Sequence, residues 1–464
     1  MRKKYDSTIK YIYILSVDSL PYASFQEASE QIASLVNGVN FTQAVAPASF
    51  TGSSMPAITT GSLTDEVPAW GLPESGEPTP IAEMLAEHGY ECGLWTDNYL
   101  FGEMYNYDRG FSAGNLGRPG VKKRLANVVR ETPLSRFFWL FETAYFGLVE
   151  PLLSASSGEE SFYRPARVLN DQALNWLESR EKDAPVFCWL HYMDTHHPYQ
   201  PPSSYLDKQS FSKERNRSEL GKFTREAIKS NGEELSAPEQ ADLKTAFEAS
   251  CAYTADELPR FIQQLQETGY YDPDIDILVV TADHGEVLDK SKYGMLGHVP
   301  PAFWEEIIRV PLIIGHPEWE TDTVAEQVSL LDLKTTILAA AGVTSDSITP
   351  DDLFRTVTPI VSEWDEIDDS ITTYRGVRRD DGRKLFGAKR DGDDMLVATE
   401  VDSKGNERVV TEIPPNASNE DLPNWAHELR KELSVFGNGV EPDSTPEDVT
   451  VEVDKQHLED LGYM

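Results

Sequence analysis

The chain has 464 residues, enough for one large domain with an appendage or for two domains, and too many for one small core. Hydrophobic residues make up 40%, which excludes global disorder. Asp and Glu number 78 against 41 Lys and Arg, and the resulting net charge of −37 repels nucleic-acid phosphates and excludes a general nucleic-acid role.

The first element is a strand. A basic start, Met1 to Lys10, passes into the apolar run Tyr11–Val17, which is too short for a signal segment and ends at Asp18. Ile81–His88 reads as a helix stopped by Gly89, and Glu91–Thr96 as the next strand. Helical spacing returns at Val168–Leu177, and Pro185–Leu190 is a further strand. A long helix is expected from about Leu243 to Thr268, then strands at Ile275–Thr281 and Val310–Ile314, then a helix at Leu331–Ala341 closed by Gly342. Strands alternating with helices predict an α/β fold, with a mostly parallel sheet sandwiched by helices over residues 1–345. After Val343 short strand-like pieces lie between Ser370 and Val410, separated by Asp-Asp-Gly, Asp-Gly and Lys-Gly turns. They predict a small C-terminal antiparallel sheet in residues 346–464, ending in an acidic tail. No run of 18 apolar residues occurs, so no transmembrane helix is expected.

Two features of composition add expectations. The acidic surface stays soluble where salt screens its self-repulsion, which points to a halophile's protein in a salt-rich cytoplasm; an acidic mesophilic protein is the alternative. Cys92, Cys188 and Cys251 are scattered without a disulfide or metal pattern, which fits a reduced compartment. Against the acidic background, Arg118–Arg136 holds six basic residues and one acid, followed by the aromatic stretch Phe137–Val149. We read residues 112–165 as an insertion over the site. It would guide a lipid-linked or polyanionic substrate, with peripheral membrane contact through its basic and aromatic residues; the alternative is an ordinary helix packed on the domain, its basic face paired with the chain's acids.

Ligands of parallel sheets bind beyond the carboxyl ends of strands. Three predicted strands end in suggestive residues: Asp18, then His191-Tyr-Met-Asp-Thr-His-His-Pro-Tyr199, then Asp283-His284-Gly285-Glu286. Six of the nine histidines fall between positions 191 and 316, a clustering that suits a polar, metal-bearing site. Taken singly, Asp18 is as readily a helix cap, Asp-His-Gly a turn, and the Ser and Thr near residue 51 caps of the next helix.

In order along the chain, these segments resemble the sulfatase family of the alkaline-phosphatase superfamily. Asp18 stands at the first metal-ligand position, and Ala46–Gly61 looks like the nucleophile segment, with Thr51 at the nucleophile. His191–Tyr199 resembles the Asp-x-His-x-Pro-Tyr stretch, and Thr281–Glu286 the second metal pair. Gly297-His298, Trp304–Ile314, Val328–Leu338 and the closing Leu461-Gly-Tyr463 are also similar. The departures are specific. Family sulfatases carry Cys or Ser in Cys/Ser-x-Pro-x-Arg and convert it to formylglycine. Here the segment is Thr51-Gly-Ser-Ser-Met55, Ser19 replaces the second acid, and Thr96-Asp-Asn98-Tyr replaces Lys-x-His.

The resemblance implies a metal-dependent hydrolase or transferase of phosphate- or sulfate-type esters, with Thr51 forming a covalent intermediate. Asp18, Thr51, Asp283 and His284 would hold one divalent ion; Mn²⁺ suits this set, with Mg²⁺, Ca²⁺ or Zn²⁺ as alternatives. His196 and His298 would contact the anion or protonate the leaving oxygen, and Asn98 would bind a non-bridging oxygen. His191 and His197 are assigned structural or supporting roles. A second metal held by Asp194, His298 and His196 or His197 is the runner-up, weakened because Asp194-x-x-x reaches Pro198 instead of a histidine. The partner is an anionic ester, glycan- or lipid-linked. Two other readings stay open: a sulfatase acting without formylglycine, and a non-catalytic binder of an anionic glycan or lipid head group.

Overall fold

The apolar runs read as strands form the middle of an eight-stranded sheet. The computed structural model describes residues 9–67, 71–115, 161–180, 184–233, 235–299, 301–365, 371–390, 393–402, 405–436 and 440–442. The basic island, the aromatic stretch after it and the acidic tail lie outside the described residues.

The strands of the large sheet are β1 (Tyr11–Val17), β2 (Val39–Val45), β3 (Glu91–Thr96), β4 (Ala113–Gly114), β5 (Val186–Tyr192), β6 (Ile277–Ala282), β7 (Arg309–Gly315) and β8 (Asp322–Ser329). Their order is β4-β3-β5-β1-β6-β7-β2-β8. β1 is central and parallel to β5 and β6, while β7 runs antiparallel to both its neighbours, β6 and β2. β1, β5 and β6 are buried along their whole lengths, so their sequences are apolar runs without alternation.

Helices α1 (Gln26–Leu35), α2 (Thr51–Thr60), α3 (Ile81–Glu87), α4 (Ala166–Ser179), α5 (Arg217–Lys229), α6 (Ala237–Thr268) and α7 (Leu333–Ala340) flank the sheet. α6 packs against both α1 and α4 as one layer; α7 packs against both α2 and α3 as another. α6 opens on a capping box, Ser236 with Glu239, and closes on Gly269 in the left-handed conformation.

Several boundaries differ from the sequence reading; the long helix expected from about Leu243 starts at Ala237, behind its capping box, and two strand ends bear on the site. The strand expected from Ile275 starts at Ile277, because the Ile275 amide turns back to the Asp272 carbonyl (3.1 Å) and leaves the side chain 45% exposed. β5 runs on through Tyr192, which places His191 within the strand.

The second sheet contains β9 (Val357–Asp365), β10 (Ile371–Arg379), β11 (Arg383–Arg390), β12 (Asp393–Val401), β13 (Glu407–Ile413) and β14 (Val440–Pro442). Its pairings are antiparallel, in the order β13-β12-β11-β10-β14, with β9 on β10. Helix α8 (Asn424–Phe436) covers it through Ala426, Leu429 and Leu433 against Val377, Leu385 and Leu396. Elsewhere Phe386 meets Phe303 and Trp304, which precede β7.

Two polar seams join this sheet to the first. In one, Glu305 accepts from Arg378 Nη2 (2.7 Å) and Lys384 Nζ (3.2 Å), and Lys384 also meets Glu407 (2.7 Å); all four are buried. In the other, β9 grips the segment before α2. The Val361 amide donates to Pro47 O (2.9 Å), the Ser49 amide to Ser362 Oγ (3.0 Å), and the Glu363 amide to Ser53 Oγ (3.1 Å).

Candidate active site

Parallel pairing brings three residues to the same end of the sheet. The Asp18 amide donates to Tyr192 O on β5 (2.9 Å), and the Asp283 amide to Val17 O on β1 (3.3 Å). Asp18, His191 and Asp283 therefore gather at the carboxyl ends of β1, β5 and β6, each fully buried. One ligand atom from each lies within 4.8 Å of the others, a group that could hold a metal ion. Thr51 is the first residue of α2, so its hydroxyl sits at the positive end of a ten-residue helix.

The residues picked from the sequence converge around that hydroxyl. Thr51 Oγ1 lies 3.1 Å from Asp18 Oδ2 and 3.2 Å from His284 Nε2. His284 Nε2 is 3.6 Å from Asp18 Oδ1 and 3.5 Å from Asp283 Oδ2. Asn98 Nδ2 donates to Asp18 Oδ2 (2.6 Å) and reaches Thr51 Oγ1 (3.4 Å), while its own carbonyl accepts from the Leu100 amide. His284 Nδ1 faces Gly285 O at 2.9 Å, which assigns its proton there and leaves a lone pair on Nε2.

The remaining histidines border this group. The His298 ring centroid is 4.4 Å from that of His284 and 5.7 Å from that of His196. His298 Nδ1 contacts Glu286 Oε1 (3.1 Å), and Glu286 Oε2 accepts from Tyr199 Oη (3.1 Å). His196 Nδ1 meets His197 O (2.6 Å) and Tyr163 Oη (3.3 Å).

Burial dominates the electrostatics. It holds the His284 imidazole down at about 3 and His298 at about 4, and it pushes Glu286 up to about 7. Asp283 is raised well above the carboxylate range, first by burial and then by the charge of Asp18. Burial also works against the Asp18 carboxylate, but the surrounding His196, His191 and His284 hold it well below that range.

A divalent cation fits these residues. Among the described residues the ionic partners of the two carboxylates are imidazoles and Asp283 Oδ2 and His191 Nε2 make no hydrogen bond, and a buried charge left so is costly. Hard oxygens with imidazole nitrogen suit Mn²⁺, Mg²⁺, Ca²⁺ or Zn²⁺.

The sequence reading differs from the structure in three places. His191, assigned a supporting role, turns Nε2 to 3.5 Å from Asp18 Oδ2 while its Nδ1 rests on Ser16 Oγ (2.8 Å). The signal was its place at the end of a buried strand, level with Ser16 of β1. Asp194, put in the runner-up second metal site, accepts from the Ala166 amide through Oδ2 (3.0 Å) at the start of α4, a role the sequence reading did not give it. Tyr163, in contact with His196, was not picked out, and Glu286, in contact with His298, was named in its motif but given no role.

The profile of the family described as Sulfatase matches residues 14–343. The chain belongs to the sulfatase family. It is 26% identical to the uncharacterized sulfatase YidJ of Escherichia coli (strain K12) over 209 residues, which are 43% of this chain and 40% of that relative. The matched part thus spans under half the length of that relative. Among solved structures, it is similar to the phosphonate monoester hydrolase of Agrobacterium radiobacter, with a TM-score of 0.61, 15% identity, and 94% of this chain and 100% of that chain covered. It is also similar to a protein solved with its substrate D-glucosamine-2-N,6-O-disulfate, with a TM-score of 0.59, 14% identity, and coverage of 93% and 97%. These two likenesses show the fold.

Within this sulfatase-family chain, the departures have physical consequences. Met55, standing where the family motif has arginine, is an apolar residue of the main core. Ser19, in the place of the second acid, donates its hydroxyl to Asp18 Oδ1 (2.8 Å) and holds a left-handed backbone, φ 60°.

Proposed function

We propose that this protein cleaves a sulfate-, phosphonate- or phosphate-type ester, with Thr51 as the nucleophile. The observation that carries the reading is the Thr51 hydroxyl at a helix N-terminus, within hydrogen-bond reach of Asp18, His284 and Asn98. Asp18, Thr51, Asp283 and His284, with His191 beside them, would hold one divalent ion, Mn²⁺ first among the candidates. When bound, that ion supplies positive charge that offsets the carboxylates and the ester oxygens and favours loss of the Thr51 proton.

The chain's own residues do the rest. Asp18 Oδ2 orients the Thr51 hydroxyl and can take its proton, while Asp18 Oδ1 and the His284 Nε2 lone pair would be left to the ion. The Asn98 amide and the positive end of α2 face the anion. His196 and His298 border the space beyond, where they would bind ester oxygens or protonate the leaving oxygen. Glu286 fixes the His298 ring by its contact at Nδ1. The covalent Thr51 ester is then released to water, giving hydrolysis, or to an acceptor alcohol, giving transfer. The substrate class is an anionic ester, glycan-linked or lipid-linked; the glycan option is favoured by the sulfated sugar in the solved neighbour. A sulfate ester cleaved without formylglycine is the second reading, favoured by the family match.

The test uses Mn²⁺-loaded protein with 4-nitrophenyl sulfate, 4-nitrophenyl phenylphosphonate and bis(4-nitrophenyl) phosphate. Thr51→Ala should fold normally and lose about 10³-fold or more in kcat/KM. Mass spectrometry of quenched wild type should place the adduct on Thr51. Full activity of Thr51→Ala would move the nucleophile to Ser53 or Ser54, or remove covalent catalysis. Tight anion binding with no turnover of any ester would leave a binder.

A further inference from the structure

Acids outnumber bases 78 to 41 in this chain, so an arginine without an acidic partner stands out. Near the site, other arginines are engaged. Arg164 pairs with Asp97 (Nε–Oδ1 2.8 Å), Arg215 with Asp242 (2.7 Å), and Arg217 donates to Gln200 O. Arg225, on α5 and half-buried, makes no ion pair or hydrogen bond among the described residues. Its guanidinium lies 5.4 Å from the centre of the Phe162 ring.

Phe162 is itself unusual, a large apolar side chain 42% exposed. It is held in place, since its amide donates to Gln200 Oε1 (2.8 Å) and Arg164, two residues on, is clasped to Asp97. The Phe162 ring meets that of Tyr163 edge-on at 4.8 Å, and Tyr163 Oη reaches His196 Nδ1. An exposed ring, two ring contacts from a candidate substrate-binding histidine, thus stands beside a cation that has no ionic partner among the described residues. Electrostatics agree with that proximity. Burial, then Asp18, raises the Tyr163 phenol, and Arg225 draws it down; burial first depresses His197, and Arg225 adds to it.

We propose that Arg225 and Phe162 form a subsite for a second anionic group on the alcohol side of the ester, so that the preferred substrate carries two oxyanions. The inference rests on the reading of Thr51 and His196 given above. A guanidinium fork matches a sulfate, phosphate or carboxylate in two-point contact, and the exposed ring offers an apolar face to the body that bears it.

The test compares two 4-nitrophenyl esters of the class the wild type turns over, one plain and one bearing a ring carboxylate. In Arg225→Ala, the ratio of kcat/KM for the carboxylated over the plain ester should fall at least tenfold, through KM. Arg225→Lys should keep part of the ratio. In the Thr51→Ala background, calorimetry should show the same loss in relative affinity, so the result does not depend on turnover. A ratio unchanged by Arg225→Ala in both assays overturns the subsite. Full turnover by Thr51→Ala overturns the underlying reading instead, and the two failures are distinguishable.

Discussion

Removing Glu305 should cost the fold about 3–5 kcal/mol at neutral pH, because it breaks a buried, charge-balanced quartet. Glu305 and Glu407 face Arg378 and Lys384, two charges of each sign in the seam between the sheets. Each is nearly or wholly buried. In Glu305→Ala, Arg378 keeps the neutral acceptors Gln327 and Gln43 but loses its carboxylate, and Lys384 keeps Glu407 alone. One positive charge is then buried without compensation. That loss is a large share of a typical domain stability of about 5–15 kcal/mol. Glu305→Gln, which retains an acceptor, should cost less.

The acid limb gives a second measure of the same network. Burial disfavours the Glu305 carboxylate, yet Arg378 and Lys384 overcome it and hold its pKa well below the usual range. A depressed folded pKa means stability that is present above the unfolded value, about 4.3, and lost as pH falls toward the folded value. Wild type should therefore weaken progressively below about pH 4, and its advantage over Glu305→Gln should shrink there. Urea unfolding followed by circular dichroism, at fixed salt and at pH 7 and 3.5, reads both effects. A loss under about 1 kcal/mol for Glu305→Ala at pH 7, with wild type and Glu305→Gln parallel in acid, refutes the reasoning.

Mn²⁺ added to chelated protein at a hundred times its Kd should stabilise the fold by about 2.7 kcal/mol, and Asp283→Asn should remove most of that gain; equal gains in both proteins would take Asp283 out of the ligand set. Gly285→Ala should destabilise by about 1–3 kcal/mol, because a Cβ there would stand 2.0 Å from the Glu306 carbonyl oxygen. Thermal melts decide it, and an unchanged midpoint would mean that the backbone gives way freely. The unfolding midpoint of wild type should rise from low to molar NaCl as the charge of −37 is screened; a midpoint indifferent to salt sinks the halophile reading.

The large sheet was legible because its central strands are buried on both faces and read as uninterrupted apolar runs. β2 was not, since Val39-Asn-Phe-Thr-Gln-Ala-Val45 mixes polar residues into the strand. The helix Arg217–Lys229 also went unread, although a capping box of Asn216 with Glu219 marks its start. In the site, Asp18, Thr51, Asp283 and His284 could be picked out by their order along the chain. Asn98, expected to bind a non-bridging oxygen, lies against two of them. His191 was given only a supporting role because the strand before it was read to end at Leu190; its approach to Asp18 comes from strand register, which no local pattern shows. Tyr163 was invisible because nothing local marks it: its role depends on contact with His196, 33 residues away.

The grip of β9 on the segment before α2 bears on how the protein is made. Ser362 reaches back 313 positions to Ser49, and Glu363 back 310 to Ser53. A chain emerging N-terminus first has Asp18 and Thr51 in hand early, and Asp283 and His284 well before β9 exists. The proposed ligands can thus all be present while the turn that carries the nucleophile still lacks its outer brace. Competence should come late in synthesis, after the ribosome has passed residue 363 and β9 has closed on Pro47–Ser53. A chain ended at residue 345 would carry every proposed catalytic residue and still leave the Thr51 hydroxyl loosely aimed.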